Sequence, residues 1–331
     1  MSVSEPTERE DGGAALGIGE LARLTGVPVR TIRFYCDEGI LEPRRSTGGH
    51  RRFASSAVER LGLVRRLRAL GLGLPAITRV LTGERSVGEA VAAERAALDV
   101  ELSSLAWRRA CLCAVEQAGP AERAARLDLL TAAEDGRAAH GMLVDFWRRL
   151  AVAPMPDETL AAFVSMAAPE PPAEPTPEQV VAYAELIVLA RDRSLTRRML
   201  ARAHANQRQI SDEAALLAGI GEACELARPL VAAGRGPGPG RALDRFVAAH
   251  ASVRSERDTP RFRRALLTNV AVDRDPRMHR YWGLVGEVAR EPIPVGTAHL
   301  WLLDSLELSV APGGYAGPGG SEPDSAASAR R

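Results

Sequence analysis

Six arginines fall within 23 residues: Arg30, Arg33, the pair Arg44–Arg45 and the pair Arg51–Arg52. A guanidinium keeps its charge at any physiological pH and offers a planar fork of donors, which fits phosphate oxygens or the edge of a guanine. Thr31, beside Arg30, has a methyl suited to contact with a thymine methyl. The chemistry these residues suggest is recognition of a polyanion, not the making or breaking of bonds. Between Ile18 and Gly83 there are twelve arginines against five carboxylates, a net charge of +7. The whole chain carries +1, so the remainder is about −6 and the positive field is local to this stretch. All 43 basic residues are arginine, which reads as a coding bias.

Other residue types offer less. His140, His204, His250 and His279 have carboxylates near them in sequence, as an acid–base pair needs. None lies in a nucleophile elbow, a glycine-rich phosphate loop or a His-Glu-x-x-His helix, so no enzyme is expected. Cys111 and Cys113 are two residues apart on a helix and point in different directions, and Cys36 and Cys224 are far away in sequence. A zinc or copper ion needs several converging ligands, so no metal and no cofactor are expected. Four scattered cysteines do not make a disulfide framework and fit a reducing cytosol.

The elements that would position the arginines can be read in order. Ile18, Leu21, Ala22 and Leu24 sit at helical spacing, and Gly26 is placed to end that helix. Pro28 suits the start of a second helix, in which Val29, Ile32 and Cys36 face inward while Arg30, Thr31, Arg33 and Tyr35 face out. Two short helices joined by a tight turn make a helix-turn-helix, whose second helix enters the major groove of duplex DNA. Gly48–Gly49 suits the tip of a hairpin with an arginine pair on each arm, a basic wing. Ser55 or Ser56 can cap a third helix carrying Val58, Leu61, Leu63, Val64, Leu67 and Leu70. Gly71 to Pro75 breaks it, and Ile77, Val80 and Leu81 belong to a fourth.

Residues 16 to about 84 resemble the N-terminal domain of the MerR family of bacterial transcription regulators. The resemblance lies in Ile18-Gly19-Glu20-Leu21-Ala22, Thr25-Gly26-Val27, Val29-Arg30-Thr31-Ile32-Arg33-Phe34-Tyr35, Gly39-Ile40-Leu41, Arg51-Arg52-Phe53 and the Leu70-Gly71 turn. It implies a symmetric homodimer on a pseudo-palindromic element between the two promoter boxes of RNA polymerase, with an activating ligand that leads the dimer to bend and untwist the DNA. Carried over by position, Arg30 and Thr31 approach base edges, Arg33, Phe34 and Tyr35 pack and grip the backbone, and Arg51 and Arg52 hold phosphates. Arg44, Arg45 and His50 complete the expected DNA-binding set. Pro28, Cys36 and His50 depart from the family's usual residues, which bears on fine specificity.

From residue 85 to 118 there is no proline and one glycine, Gly88, while Val91, Leu98, Leu105 and Leu112 recur every seven residues. That spacing is a seam for a partner helix, roughly 50 Å long, matching the family's antiparallel dimerisation helix. Residues 121–310 read as a helical C-terminal domain, with a proline-rich connector at 168–177 and a glycine-proline breaker at 234–240. Residues 1–15 and 311–331 read as disordered. In the C-terminal domain Phe262, His279, Tyr281, Trp282, His299 and Trp301, with Asp304 near, gather four of the chain's fourteen Phe, Trp and Tyr residues. They could line a pocket for a flat small-molecule effector, or Trp282 and Trp301 could simply fill the core between two helices. That domain then either binds the effector or contacts another protein. No apolar run reaches the roughly 18 residues a membrane span needs, and the N-terminus lacks a secretory pattern, so a cytoplasmic protein is expected. The expected fold class is all-α with a small β wing.

Overall fold

Helix α1 (Ile18–Thr25) ends where Gly26 turns left-handed, at φ 67° and ψ 15°, and its N–H closes onto the Ala22 carbonyl at 2.9 Å. A residue without Cβ takes this backbone at little cost, so the glycine stop lies where its type places it. Helix α2 (Val29–Asp37) starts directly after Pro28. The computed structural model describes residues 15–45 and 49–311, which fall into two compact units divided between Leu102 and Ser103. The segments expected to be disordered lie outside the described residues except for Ala15 and Ala311. Gly48 lies outside them too, whereas Gly49 is described, with φ 76°.

In the first unit the wing has three antiparallel strands in the order β1-β3-β2: β1 (Leu16–Gly17), β2 (Arg44–Arg45) and β3 (Arg51–Phe53). Leu16 pairs with Phe53, so the chain entering α1 is tied to the wing. Helices α3 (Ser56–Ala69) and α4 (Leu74–Leu81) complete the unit, with Pro75 in the first turn of α4 and Ser55 at the N-cap of α3 without a side-chain cap bond. Leu21, Ile32, Ile40, Phe53, Leu61 and Ile77 form the centre of its core. Two sequence expectations are corrected here. Tyr35 is buried instead of facing out, because the inner face of α2 runs through Ile32 and Tyr35, three residues apart. Leu24 is exposed, because Thr25 takes the inner position one turn after Leu21 and satisfies its hydroxyl on the Leu21 carbonyl at 2.7 Å.

Helix α5 (Val87–Gln117) runs through the division between the units. The second unit continues with α6 (Arg123–Leu130), α7 (Gly136–Leu150), α8 (Asp157–Ala167), α9 (Pro177–Ala190) and α10 (Arg193–Gln207). It ends with α11 (Glu213–Ala232), α12 (Arg241–Ser252), α13 (Pro260–Asn269), α14 (Pro276–Ala289) and α15 (Val295–Val310). The connector at 168–176 carries no regular structure, and Thr176 then caps α9 in a reciprocal box with Gln179. Trp107 of α5 anchors one core: its Nε1 donates to the Ala133 carbonyl at 2.9 Å and its ring meets Tyr183 edge-on. Trp147 Nε1 donates to the Tyr281 hydroxyl at 2.6 Å, which donates to the Ala167 carbonyl at 2.7 Å, so two buried polar tips satisfy each other. A second core gathers Phe246, Phe262, Leu266, Leu302 and Leu306.

Close approach at Gly296 gives a stability prediction. A Cβ there would lie 2.1 Å from Trp282, a ring that is itself buried and has little room to withdraw. Gly296→Ala is expected to cost about 1–3 kcal/mol of overpacking and to lower the melting temperature by about 2–10 °C. Gly283→Ala, with nothing within 4 Å, serves as the control and leaves the melt unchanged or slightly raised. Equal melts for the two variants would show that the ring gives way freely.

Acid stability follows from the cap of α14. The Asp275 carboxylate accepts from the Arg277 backbone N–H at 3.0 Å and from the guanidiniums of Arg277 and Arg198 at 2.7–2.9 Å, and these donors hold its pKa down to about 2. Its contribution is therefore complete above the ordinary carboxyl pKa of about 4 and is lost as the pH falls through about 2. Denaturant midpoints measured down this range should fall more steeply for the natural chain than for Asp275→Asn.

Candidate nucleic-acid interface

No side chain caps the start of α2, so its first backbone N–H groups are left without intrahelical acceptors at the positive end of the helix dipole. On that helix Arg30 and Arg33 are exposed, Thr31 is half-buried and Phe34 is 45% exposed. At about 100° per residue, Arg30, Arg33 and Phe34 share one face. Tyr35 lies under that face, its ring centroid 5.9 Å from that of Phe34, and supports it from the core.

The wing brings four guanidinium groups together. Arg44 pairs with Arg52 and Arg45 with Arg51, so each sheet face carries two like charges directly opposite each other. Such pairs are unfavourable across strands, and a bound anion relieves them. Among the described residues the ion pair of these four is Arg51 with Asp37, at 3.2 Å, which ties the wing to the end of α2. Arg52 also donates to the Ala15 carbonyl at 3.2 Å. His50 is exposed just before β3. Arg60, Arg65 and Arg68 serve the fold, donating to the carbonyls of Ile40, Thr25 and Leu72. The net +7 thus mixes surface arginines with structural ones, a distinction that counting charges does not make.

This geometry coincides with a sequence match: the profile described as MerR HTH family regulatory protein covers residues 16–84. Residues 16–84 are a MerR-family helix-turn-helix domain. Similar stretches occur in the nodulation protein NolA of Bradyrhizobium sp. (strain NC92), 36% identical over 87 residues, covering 26% of this chain and 37% of NolA. The HTH-type transcriptional regulator HmrR of Rhizobium leguminosarum bv. viciae is 35% identical over 66 residues, 20% of this chain and 51% of HmrR. The HTH-type transcriptional activator TipA of Streptomyces coelicolor is 38% identical over 65 residues, 19% of this chain and 26% of TipA. The chain thus spans about half or less of the length of these relatives. No solved structure matches it.

After the MerR-type domain, α5 holds the four residues expected to form a seam. Val91, Leu98, Leu105 and Leu112 are all exposed, joined by Val87 and Leu102. At about 100° per residue these six fall within an arc of about 80°. Trp107, Ala110 and Ala114, buried in the second unit's core, lie on the opposite side of the helix, and Ala90, buried in the first unit's core, lies to one side of the stripe.

In the second unit a cavity of about 670 Å³ lies among α7, α8, α10, α11, α12, α14 and α15. Of the proposed pocket residues, Trp282 lines it, as does His299. The others do not. Phe262 is buried in the second core, Tyr281 is buried in the first with its hydroxyl engaged, Trp301 donates to the Arg235 carbonyl at 2.9 Å, and His279 is half-buried away from the cavity. Sequence reading missed the methionines: Met155, Met166, Met199 and Met278, four of the six in the chain, line this one cavity. Burial pushes the Cys111 thiol pKa up and that of Cys224 up to about 12, as expected for packing residues. Among the described residues no cluster of three or more His, Cys, Asp or Glu side chains is placed to hold a metal ion, and no helix is long and apolar enough to cross a membrane.

Proposed function

We propose that the chain is a DNA-binding transcription regulator that acts as a homodimer on a pseudo-palindromic promoter element, under the control of a small molecule held by its C-terminal domain. The observation that carries the DNA-binding reading is the opposed arginine ladder of the wing, combined with the exposed Arg30–Arg33 face of a MerR-type helix-turn-helix. The second helix lies in the major groove, Arg30 and Thr31 read base edges, and Arg44, Arg45, Arg51 and Arg52 hold phosphates on either side. The relatives described as transcriptional regulators support this reading.

The dimer rests on the self-complementarity of α5. An antiparallel copy that sets Leu98 opposite Leu105 also sets Val91 opposite Leu112, and Glu94 opposite Arg109. For these three pairs one two-fold axis matches apolar to apolar and acid to base, as an isologous interface requires, while Leu102 falls opposite Glu101 and Val87 opposite Glu116. The 31 residues of α5 span roughly 46 Å, enough to hold two reading heads one DNA turn (about 34 Å) apart.

Light scattering and duplex titration test the proposal together. The expected mass is about 71 kDa, twice the 35.4 kDa of one chain. Affinity for a random-sequence duplex should fall about 10³-fold or more between about 50 and 200 mM salt, as six or more phosphate contacts require. A single-chain mass, or binding that does not respond to salt, contradicts it.

A further inference from the structure

The polar end of the cavity holds more hydrogen-bonding capacity than its own residues use. His250, on α12, is 1% exposed, and its Nδ1 accepts from Arg254 at 3.0 Å. A guanidinium only donates, so Nδ1 is the acceptor and Nε2 carries the N–H of a neutral ring. Burial, then the Arg254 and Arg202 charges, hold the His250 pKa well below its ordinary value and keep the ring neutral. His250 Nε2 has no partner, and neither do Arg202 Nε, Glu213 Oε2 and His299 Nδ1, all on residues that line the cavity. Arg202 uses Nη1 on Asp273, and His299 Nε2 lies 3.8 Å from the same carboxylate.

Native proteins leave few buried polar atoms unpaired, because each lost bond costs stability. Four around one cavity therefore point to an occupant that satisfies them. The charges nearby balance: Arg202 and Arg254 face Glu213 and Asp273, and burial raises the Glu213 pKa. An ion entering here would lose its hydration without gaining a net counter-charge. Glu158, the further carboxylate on the lining, is exposed. Apart from Thr159 and Asn206, the rest of the lining is apolar and adaptable, with four methionines and the rings of Trp147, Phe163 and Trp282. Its volume is that of a small-molecule site.

We propose that this cavity binds an uncharged amphipathic small molecule, its ring-bearing apolar body against the methionines and tryptophans. Its polar end accepts from the N–H groups of Arg202 and His250 and donates to Glu213, as a carboxamide or lactam does. The proposal rests on the effector reading above and specifies the class of effector.

Nile red, an uncharged ring dye that accepts but does not donate hydrogen bonds, is the probe for the full-length chain. It is expected to bind saturably, one per chain, and to be displaced by 2-naphthamide at least about tenfold better than by 2-naphthoate or 2-naphthylmethylammonium. Ala203 of α10 lines the cavity, and Ala203→Phe, which narrows it, should abolish dye binding with an unchanged melt. Glu213→Leu should weaken 2-naphthamide about tenfold while leaving Nile red within about twofold, since only the amide donates. Preference for either ion overturns the uncharged head, and dye binding untouched by Ala203→Phe overturns this cavity as the site. DNA affinity measured in the same samples separates the two readings. Amide binding without a change in DNA affinity supports the site and removes effector control. A DNA response to a compound that does not displace the dye leaves control standing and overturns the cavity.

Discussion

Leu98→Asp is expected to split the protein into single chains of 35.4 kDa and to lower affinity for its DNA site at least a hundredfold. Two heads joined on one duplex gain from effective concentration, and a lone head loses that gain. Leu98 is about half exposed within its own chain, so the aspartate costs the fold little, while the proposed seam would bury it against Leu105 of a second copy. The register makes a sharper prediction. Glu94→Arg and Arg109→Glu should each weaken the dimer by setting like charges opposite each other, and the double exchange should restore it. Sedimentation equilibrium reads all four proteins; a dimeric Leu98→Asp variant, or a double exchange no better than the singles, contradicts the antiparallel seam.

Arg30→Ala should cost about 1–3 kcal/mol on the preferred sequence and far less on random duplex, because a base-edge contact is lost where the right base stands. In a homodimer the change occurs at both half-sites, so the cognate loss compounds. Arg52→Ala should weaken both duplexes alike and reduce the salt slope by about one per phosphate contact removed. Arg51→Ala should do the same and also free Asp37, loosening the wing from α2. Fluorescence anisotropy on the two duplexes at several salt concentrations makes the comparison. Equal losses for Arg30→Ala on both would move Arg30 from base reading to phosphate contact.

Much of this was legible because local chemistry decides it. Gly26 had to stop α1, and the seven-residue spacing of Val91 to Leu112 had to place a stripe on α5. Errors came where one residue decides a face. Leu24 and Tyr35 were each assigned to the wrong side of their helices, since eight or nine residues give too few turns to fix the phase of an apolar stripe. The strand at Leu16–Gly17 is too short to alternate and exists only because β3 lies beside it. The cavity was illegible for another reason. Its lining comes from seven helices and from connecting loops, and methionine carries no periodic signal, so the aromatic residues that cluster in sequence were mostly packed elsewhere.

In the proposed complex two MerR-type heads, held by α5, read one duplex. Selection of bound sequences from random duplexes, followed by footprinting on the winner, tests it most directly. The expected result is a two-fold symmetric site with two protected patches on one face, about one helical turn apart. Recovery of an asymmetric site with a single patch, or no enriched sequence at all, would contradict it.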